Sequence, residues 1–445
     1  MNPAPVNGPA KVPFTGCDAF FLALEDLMAA GGQGRHIGLT ILELGAGFDI
    51  SALRDAVRRF SLSHPLLHAK LRRSWFLGVP FWKTPKLLLP DAVPILEQPP
   101  NTDRDSFCEN LLGSGGRHFF EIHILRSGDK ATLLAKWSHL LFDGRGAELA
   151  LQEIARLARM PCEASKPLAS WGIAFPPPPS LFARWVGTRV FVQRHYEMKP
   201  SDFRSLGGPF PKSGAPRFRV LRFSSDETAL MRDRAARLTS GIFQMPYFFA
   251  AAARAHAAVF KARGQRPPCF VSPVPVQARK PKARHPIFQN QVTVLHFKLD
   301  ASDADDLEKS TIAVHAQFES AVRSRLETSS ATMLWWMRRL PTAIYRRFLQ
   351  KDTAGEIVSF FQSHTGEFLP GLSDICGAHI TNGWHIPSVS QPPGSGIFFS
   401  EREGRLSATI SWREKSLTAA EVDMMESSLR SDLLGATTNS NTRRD

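Results

Sequence analysis

Residues 118–159 constrain the fold more than any other stretch of the chain. HFFEIHIL (118–125) and TLLAKW (132–137) are β-rich, and RSGDKA between them carries turn chemistry, so the pair reads as a β-hairpin. The second run passes through SHLLFDGRG directly into residues 147–159, which read as a helix. A loop placed between a strand and a helix in this way is held by rigid elements on both sides and is a common seat of chemistry. The chain around it must therefore supply an α/β scaffold.

The remaining patterning agrees. Asp18 precedes an apolar face made by Phe20, Leu24 and Leu27, which Gly31-Gly32 closes. Ile37 to Leu44 reads as a strand. Asp49 or Ser51 caps a helix that faces Leu53, Ala56, Val57 and Phe60 inward, and His64-Pro65 stops it because a residue before proline leaves the α region. Four prolines (176–179) and the Pro/Gly/Ser-rich 199–217 mark a crossover, with an apolar, basic helix between them. Beyond lie strand-like 218–223, 269–279 and 289–299, helices near 245–262, 304–326 and 331–350, two closing strands, and a helix at 417–434. We divide the chain into a flexible arm (1–12), an N-terminal domain with the His-x-x-x-Asp-Gly loop (13–175), a crossover (176–217), a C-terminal domain (218–435) and a disordered tail (436–445).

Composition narrows the function classes. The five cysteines are scattered and form no C-x-x-C pair, which argues against a disulfide framework or a structural zinc and favours a reducing cytosol. The first residues have no apolar core for a secretory signal, and no apolar run is long enough to span a bilayer. The expectation is a cytoplasmic protein, attached at most to the inner face of a membrane. A net charge of +14 suits polyanions, phosphate-bearing co-substrates or an anionic membrane. No nucleic-acid motif accompanies it, so nucleic acid is not expected. P-loop, G-x-S-x-G and H-E-x-x-H patterns are missing, and no histidine spacing suggests a metal.

His139, Asp143 and Gly144 are the residues with a chemical logic. Asp143 can anchor the loop by pairing with a cation, and Gly144 is expected to adopt a backbone angle that other residues resist. The loop then fixes an imidazole that is largely neutral at pH 7 and can accept a proton from an attacking hydroxyl or amine. Spacing alone also describes a core histidine beside a turn.

SHLLFDGRGAELALQEI resembles the H-H-x-x-x-D-G segment of the superfamily containing chloramphenicol acetyltransferase, peptide-synthetase condensation domains, alcohol acyltransferases and bacterial wax-ester synthase/diacylglycerol acyltransferases. FTGCDAFFLAL, FDISALRDAVRRFSLSHPLLHAKLRR, GIFQMPYFFAAAARAHAAVF, SPVPVQARK, QNQVTVLHFKL, SFFQSHTGEF and GSGIFFSEREGRLSATISWR resemble further segments in order, over roughly residues 13–435. The resemblance implies two chloramphenicol-acetyltransferase-like α/β domains, each a mixed sheet flanked by helices, with a tunnel between them. His139 takes the place of the catalytic second histidine and Asp143 that of the structural aspartate, with Arg279 as its partner. Ser363 stands where relatives have a residue facing the reaction channel, and Asn290 matches an asparagine near the tunnel; a capped turn and a structural role are the plainer readings of these two. The first histidine of the pattern is Ser138 here, a departure that leaves room for a non-catalytic member.

The resemblance implies acyl transfer from a coenzyme A thioester to a hydroxyl acceptor, expected to be a lipid-like alcohol, with no bound cofactor. A condensation-like use of an acyl carrier protein is the alternative, and an inactive scaffold a third. LRRSWFLGVPFWK (71–83), LFARWVGTRVFVQRHY (181–196) and MLWWMRRLPTAIYRRFLQ (333–350) mix aromatics with arginines. Such segments either lie in a membrane interface or bury their rings and snorkel their cations; 333–350 reads as a lid or membrane-facing element.

Overall fold

A computed structural model describes residues 4–5, 9–116, 118–160, 172–173, 179–200, 202–210, 212–239, 241, 244–280, 282–351 and 353–435. The 436–445 tail, Cys162, the first three of the four consecutive prolines and much of the 1–12 arm lie outside them. The arm's end, Lys11–Pro13, is a strand paired with Phe81–Lys83 rather than loose chain.

The first sheet has six strands in the order Asp374–Ile375, Ala378–Pro387, Ile37–Leu44, Lys130–Ser138, Phe120–Ser127 and Ile95–Glu97. Its central hairpin is tighter than RSGDKA suggests: Ser127 faces Lys130, and Gly128, at φ +62°, makes the turn with Asp129. A second sheet orders Pro216–Arg222, Arg405–Arg413, Ser395–Arg402 and Phe361–Glu367. The Cys269–Gln277 and Val292–Asp300 strands form a separate antiparallel pair.

Ala378–Pro387 falls within the expected C-terminal domain (218–435), yet it lies antiparallel to Ile37–Leu44, with Trp384 opposite Ile41. The first sheet is thus completed by late sequence. One buried cluster gathers Trp82, Phe120, Phe142 and Leu151 around this sheet, and another gathers Tyr247, Phe249, Phe297 and Ile410 around the second.

Local signals explain the helices. Thr15 and Asp18 cap Gly16–Ala30 reciprocally, Asp18 accepting from Thr15 N–H at 2.8 Å, so Asp18 sits inside the first turn rather than before it. Asp49 caps Ile50–Ser63 by accepting from Ser51 and Ala52 N–H. The apolar 331–350 stretch is two helices, Leu326–Met337 and Thr342–Gln350, because Pro341 cannot continue the first. The 71–83 segment runs from the end of the Lys70–Arg72 strand through a turn into the Phe81–Lys83 strand. Among the described residues Cys17, Cys108, Cys269 and Cys376 are buried and unbridged.

Candidate active site

The His139 loop begins where Lys130–Ser138 leaves the sheet. Ser138 folds it: its carbonyl accepts from Leu141 N–H at 2.9 Å and its hydroxyl from Leu140 N–H at 3.2 Å. Asp143 then caps the Gly144–Arg159 helix by accepting from Gly146 N–H at 2.7 Å. A carboxylate at a helix N-terminus also faces the positive end of the helix dipole.

Late sequence clamps the loop from outside. Arg279 Nη1 donates to both oxygens of Asp143, at 2.9 and 2.7 Å, and both side chains are buried. Arg279 Nε reaches the Pro286 carbonyl at 2.8 Å, and Gln291 N–H donates to Asp143 Oδ2 at 2.9 Å. Gln289 N–H donates to the Leu141 carbonyl, and Gln289 sits at φ +67°, a backbone strain held by these neighbours. Asn290 Nδ2 donates to the His139 carbonyl at 2.6 Å and to Asp18 Oδ1 at 2.8 Å. Asn290 thus holds the histidine's backbone and ties it to the first helix. Burial pushes the Asp18 carboxyl up against the opposing hydrogen bonds from Asn290 and Thr15.

The imidazole itself is half-buried. Its ring stacks against Phe21 (4.3 Å between centroids, 14°) and His36 (4.4 Å, 21°), and meets Trp137 edge-on at 4.8 Å. Phe21 and His36 are only 5.4 Å apart, too close to lie on opposite faces, so they do not sandwich the ring. Nδ1 of His139 is buried without a hydrogen-bond partner among the described residues. Burial pushes the imidazole pKa down to about 4, outweighing the upward pull of Asp143. His36 is likewise held well below the usual histidine range, by burial first and then by His139.

Sequence reasoning missed His36, Phe21, His385 and Glu148. His385 Nε2 lies 2.9 Å from Glu148 Oε1, and its Nδ1 lies 3.1 Å from Thr40 Oγ1, which accepts from Trp137 Nε1 at 3.0 Å. Arg145 pairs with Glu148 as well. This buried chain backs the wall on which the His139 loop rests. Antiparallel pairing of Ile37 with Ser138 is what makes His36 a neighbour of His139, a long-range fact with no motif to announce it.

Gly144 requires correction. It opens the helix with no positive φ, and a Cβ there would meet only ordinary contacts, Trp137 at 3.9 Å and His385 at 4.0 Å. Gly146 is the residue that needs to be glycine: a Cβ would collide with the Ile287 carbonyl and lie 2.7 Å from Phe142 Cβ. Gly146→Ala is expected to destabilise by about 1–3 kcal/mol through overpacking, and Gly144→Ala to change stability by less than about 1 kcal/mol. Urea unfolding midpoints of the two variants measure the contrast.

Ser363 lies on Phe361–Glu367 opposite Phe398. Among the described residues no hydrogen bond joins it to the His139 cluster. Two described clefts, about 610 and 640 Å³, flank Arg266 and share no residue with that cluster.

No family model matches the chain, and no curated protein sequence matches it significantly. Solved structures do. The TRI3 trichothecene 15-O-acetyltransferase of Fusarium sporotrichioides superposes with a TM-score of 0.69 at 15% identity, over 95% of each chain. The first condensation domain of the CDA synthetase gives 0.66 at 14%, over 96% of this chain and 97% of that one. Polyketide synthase associated protein 5 of Mycobacterium tuberculosis gives 0.60 at 14%, over 93% and 97%. The chain therefore carries the chloramphenicol-acetyltransferase-like fold that acetyltransferases and condensation domains share.

Proposed function

We propose that this protein is an acyltransferase that moves an acyl group from a coenzyme A thioester to the hydroxyl of a lipid-like alcohol, with His139 as general base. The observation that carries the reading is an imidazole held by a loop that Asp143 and Arg279 lock from two distant parts of the chain. The acceptor's hydroxyl proton passes to the imidazole as its oxygen attacks the thioester carbonyl. The carbon–sulfur bond then breaks, and the imidazolium returns the proton to the leaving thiolate. Asp143 favours the imidazolium that forms between these steps, while burial keeps the resting ring uncharged. Holding both substrates in line supplies much of the rate.

In this reading the substrates meet between the two lobes, near the segment on which Gln289 Oε1, Asn290 Oδ1, Gln291 Nε2 and Thr293 Oγ1 are buried without partners among the described residues. Native proteins leave few buried polar atoms unpaired, so four on one short segment suit the polar arm of a thioester co-substrate rather than the apolar acceptor. Ser138 in place of a first histidine is no obstacle to this chemistry, since its hydroxyl is engaged with Leu140 N–H.

The test is thiol release when the purified protein is given acyl-CoA and a panel of alcohols; release that depends on the alcohol is expected. Release only from an acyl carrier protein would replace the donor and favour a condensation-like enzyme, a reading that the likeness to a condensation domain supports. No release from either donor would favour a non-catalytic scaffold.

The pH profile gives a second check. The imidazole is active when unprotonated, so activity is lost as pH falls through its pKa. With that value near 4, the rate should stay flat from pH 7 to below 6 and fall by half near pH 4, whereas an ordinary histidine would lose half near ~6.5. Initial rates, with activity regained on return to pH 7, separate this titration from unfolding.

A further inference from the structure

The helix Leu181–Met198 has an outward face of unusual character. Gly187, alone among its 18 residues, is buried, and it packs where a Cβ would meet the Thr332 side chain at 3.1 Å. The helix therefore rests on the Leu326–Met337 helix along one side. On the other side stand Leu181, Phe182, Trp185, Val192 and Tyr196, with Leu181 78%, Phe182 75%, Trp185 63% and Tyr196 60% exposed. At 100° per residue these five fall within an arc of about 100°, and from Leu181 to Tyr196 the stripe is about 22 Å long. A solvated helix face is ordinarily polar.

Arginines surround it. Arg189 lies within the exposed face, its guanidinium 6.0 Å from the Trp185 ring. Arg184 covers Trp335 at 4.4 Å and Trp336 at 5.6 Å, and Arg339 covers Trp335 from the neighbouring helix at 4.4 Å. Arg73 donates to the Arg339 and Leu340 carbonyls, which brings the turn with exposed Trp75 and Phe76 beside them. Segments 70–83, 181–199 and 326–351 together carry thirteen Lys and Arg against two Glu.

We propose that the outward face of Leu181–Met198, with the flanking arginines, docks on an anionic lipid surface. A convex apolar stripe on a single helix offers no groove for a protein partner's side chains, but it can lie flat in the headgroup region. Tryptophan and tyrosine suit that boundary, and the cations meet the anionic headgroups. Among the described residues no helix is long and apolar enough to cross a membrane, so the contact is peripheral. This docking is independent of the acyl-transfer chemistry and would place the protein where apolar acceptors dissolve.

Co-sedimentation of the full chain with phosphatidylcholine vesicles, with and without phosphatidylserine, tests it. Binding to the serine-containing vesicles is expected, weakened by salt. Phe182→Ser with Trp185→Ser should lower the bound fraction about tenfold or more, and Arg189→Glu less; unchanged circular dichroism and Tm certify the fold, and Trp185→Ala alone serves if the double variant fails to fold. His139→Ala should bind as the unaltered chain does, so failed catalysis and failed docking are distinguishable. Four results would each overturn the proposal: no binding at low salt, equal binding by the double variant, a solution dimer dissolved by the same substitutions, or capture of an acidic carrier protein through this face without vesicle binding.

Discussion

Replacing His139 by alanine is expected to lower acyl transfer by about 10²–10⁴-fold, the contribution of a positioned general base. Stability should change far less. The lost ring contacts with Phe21 and His36 are offset in part because the buried, unpartnered Nδ1 goes with them. Ser138→Ala is the control: its hydroxyl only accepts from Leu140 N–H, so activity should remain within about tenfold of the parent. Single-turnover thiol release measures both. Equal rates for His139→Ala and the parent, with both folded, would remove the imidazole from the chemistry.

Arg279→Met is expected to have the largest effect on stability. It keeps an unbranched apolar stem but leaves the Asp143 carboxylate buried without its cation, holding only the Gly146 and Gln291 N–H groups. Breaking such a pair from one side costs about 3–5 kcal/mol, a large share of what holds a domain folded. Activity should fall as well, because Asp143 sets the end of the loop that aims His139. Adding Asp143→Asn should restore part of the stability by removing the stranded charge, and little of the activity. Urea unfolding of the two variants, read beside their rates, decides it; a Tm unchanged by Arg279→Met would mean that the pair is not what locks the loop.

Much of the scaffold was legible because local chemistry sets it. Asp49 caps the helix it was expected to cap, the 118–137 hairpin forms, and the His139 loop runs from strand into helix. Arg279 was legible only through resemblance, since nothing local in SPVPVQARK points across the chain to Asp143. The rest depended on tertiary pairing. His36 sits in RHIG, a segment without any pattern, and reaches His139 only because two strands align Ile37 with Ser138. His385 and Glu148 meet although 237 residues separate them in sequence. Gly144 was misjudged because a helix start needs no unusual angle, whereas Gly146 is demanded by the approach of Ile287, which no sequence window contains.

The late strand in the first sheet also orders events during synthesis. Ile37–Leu44 offers one edge to Lys130–Ser138 and the other to Ala378–Pro387, which leaves the ribosome more than three hundred residues later. Until then the nascent amino-terminal half carries an open strand edge, the kind of template on which chains aggregate. Truncations ending before the late strand should accordingly be poor reagents, and a chaperone that shields this edge would raise the yield of the whole chain.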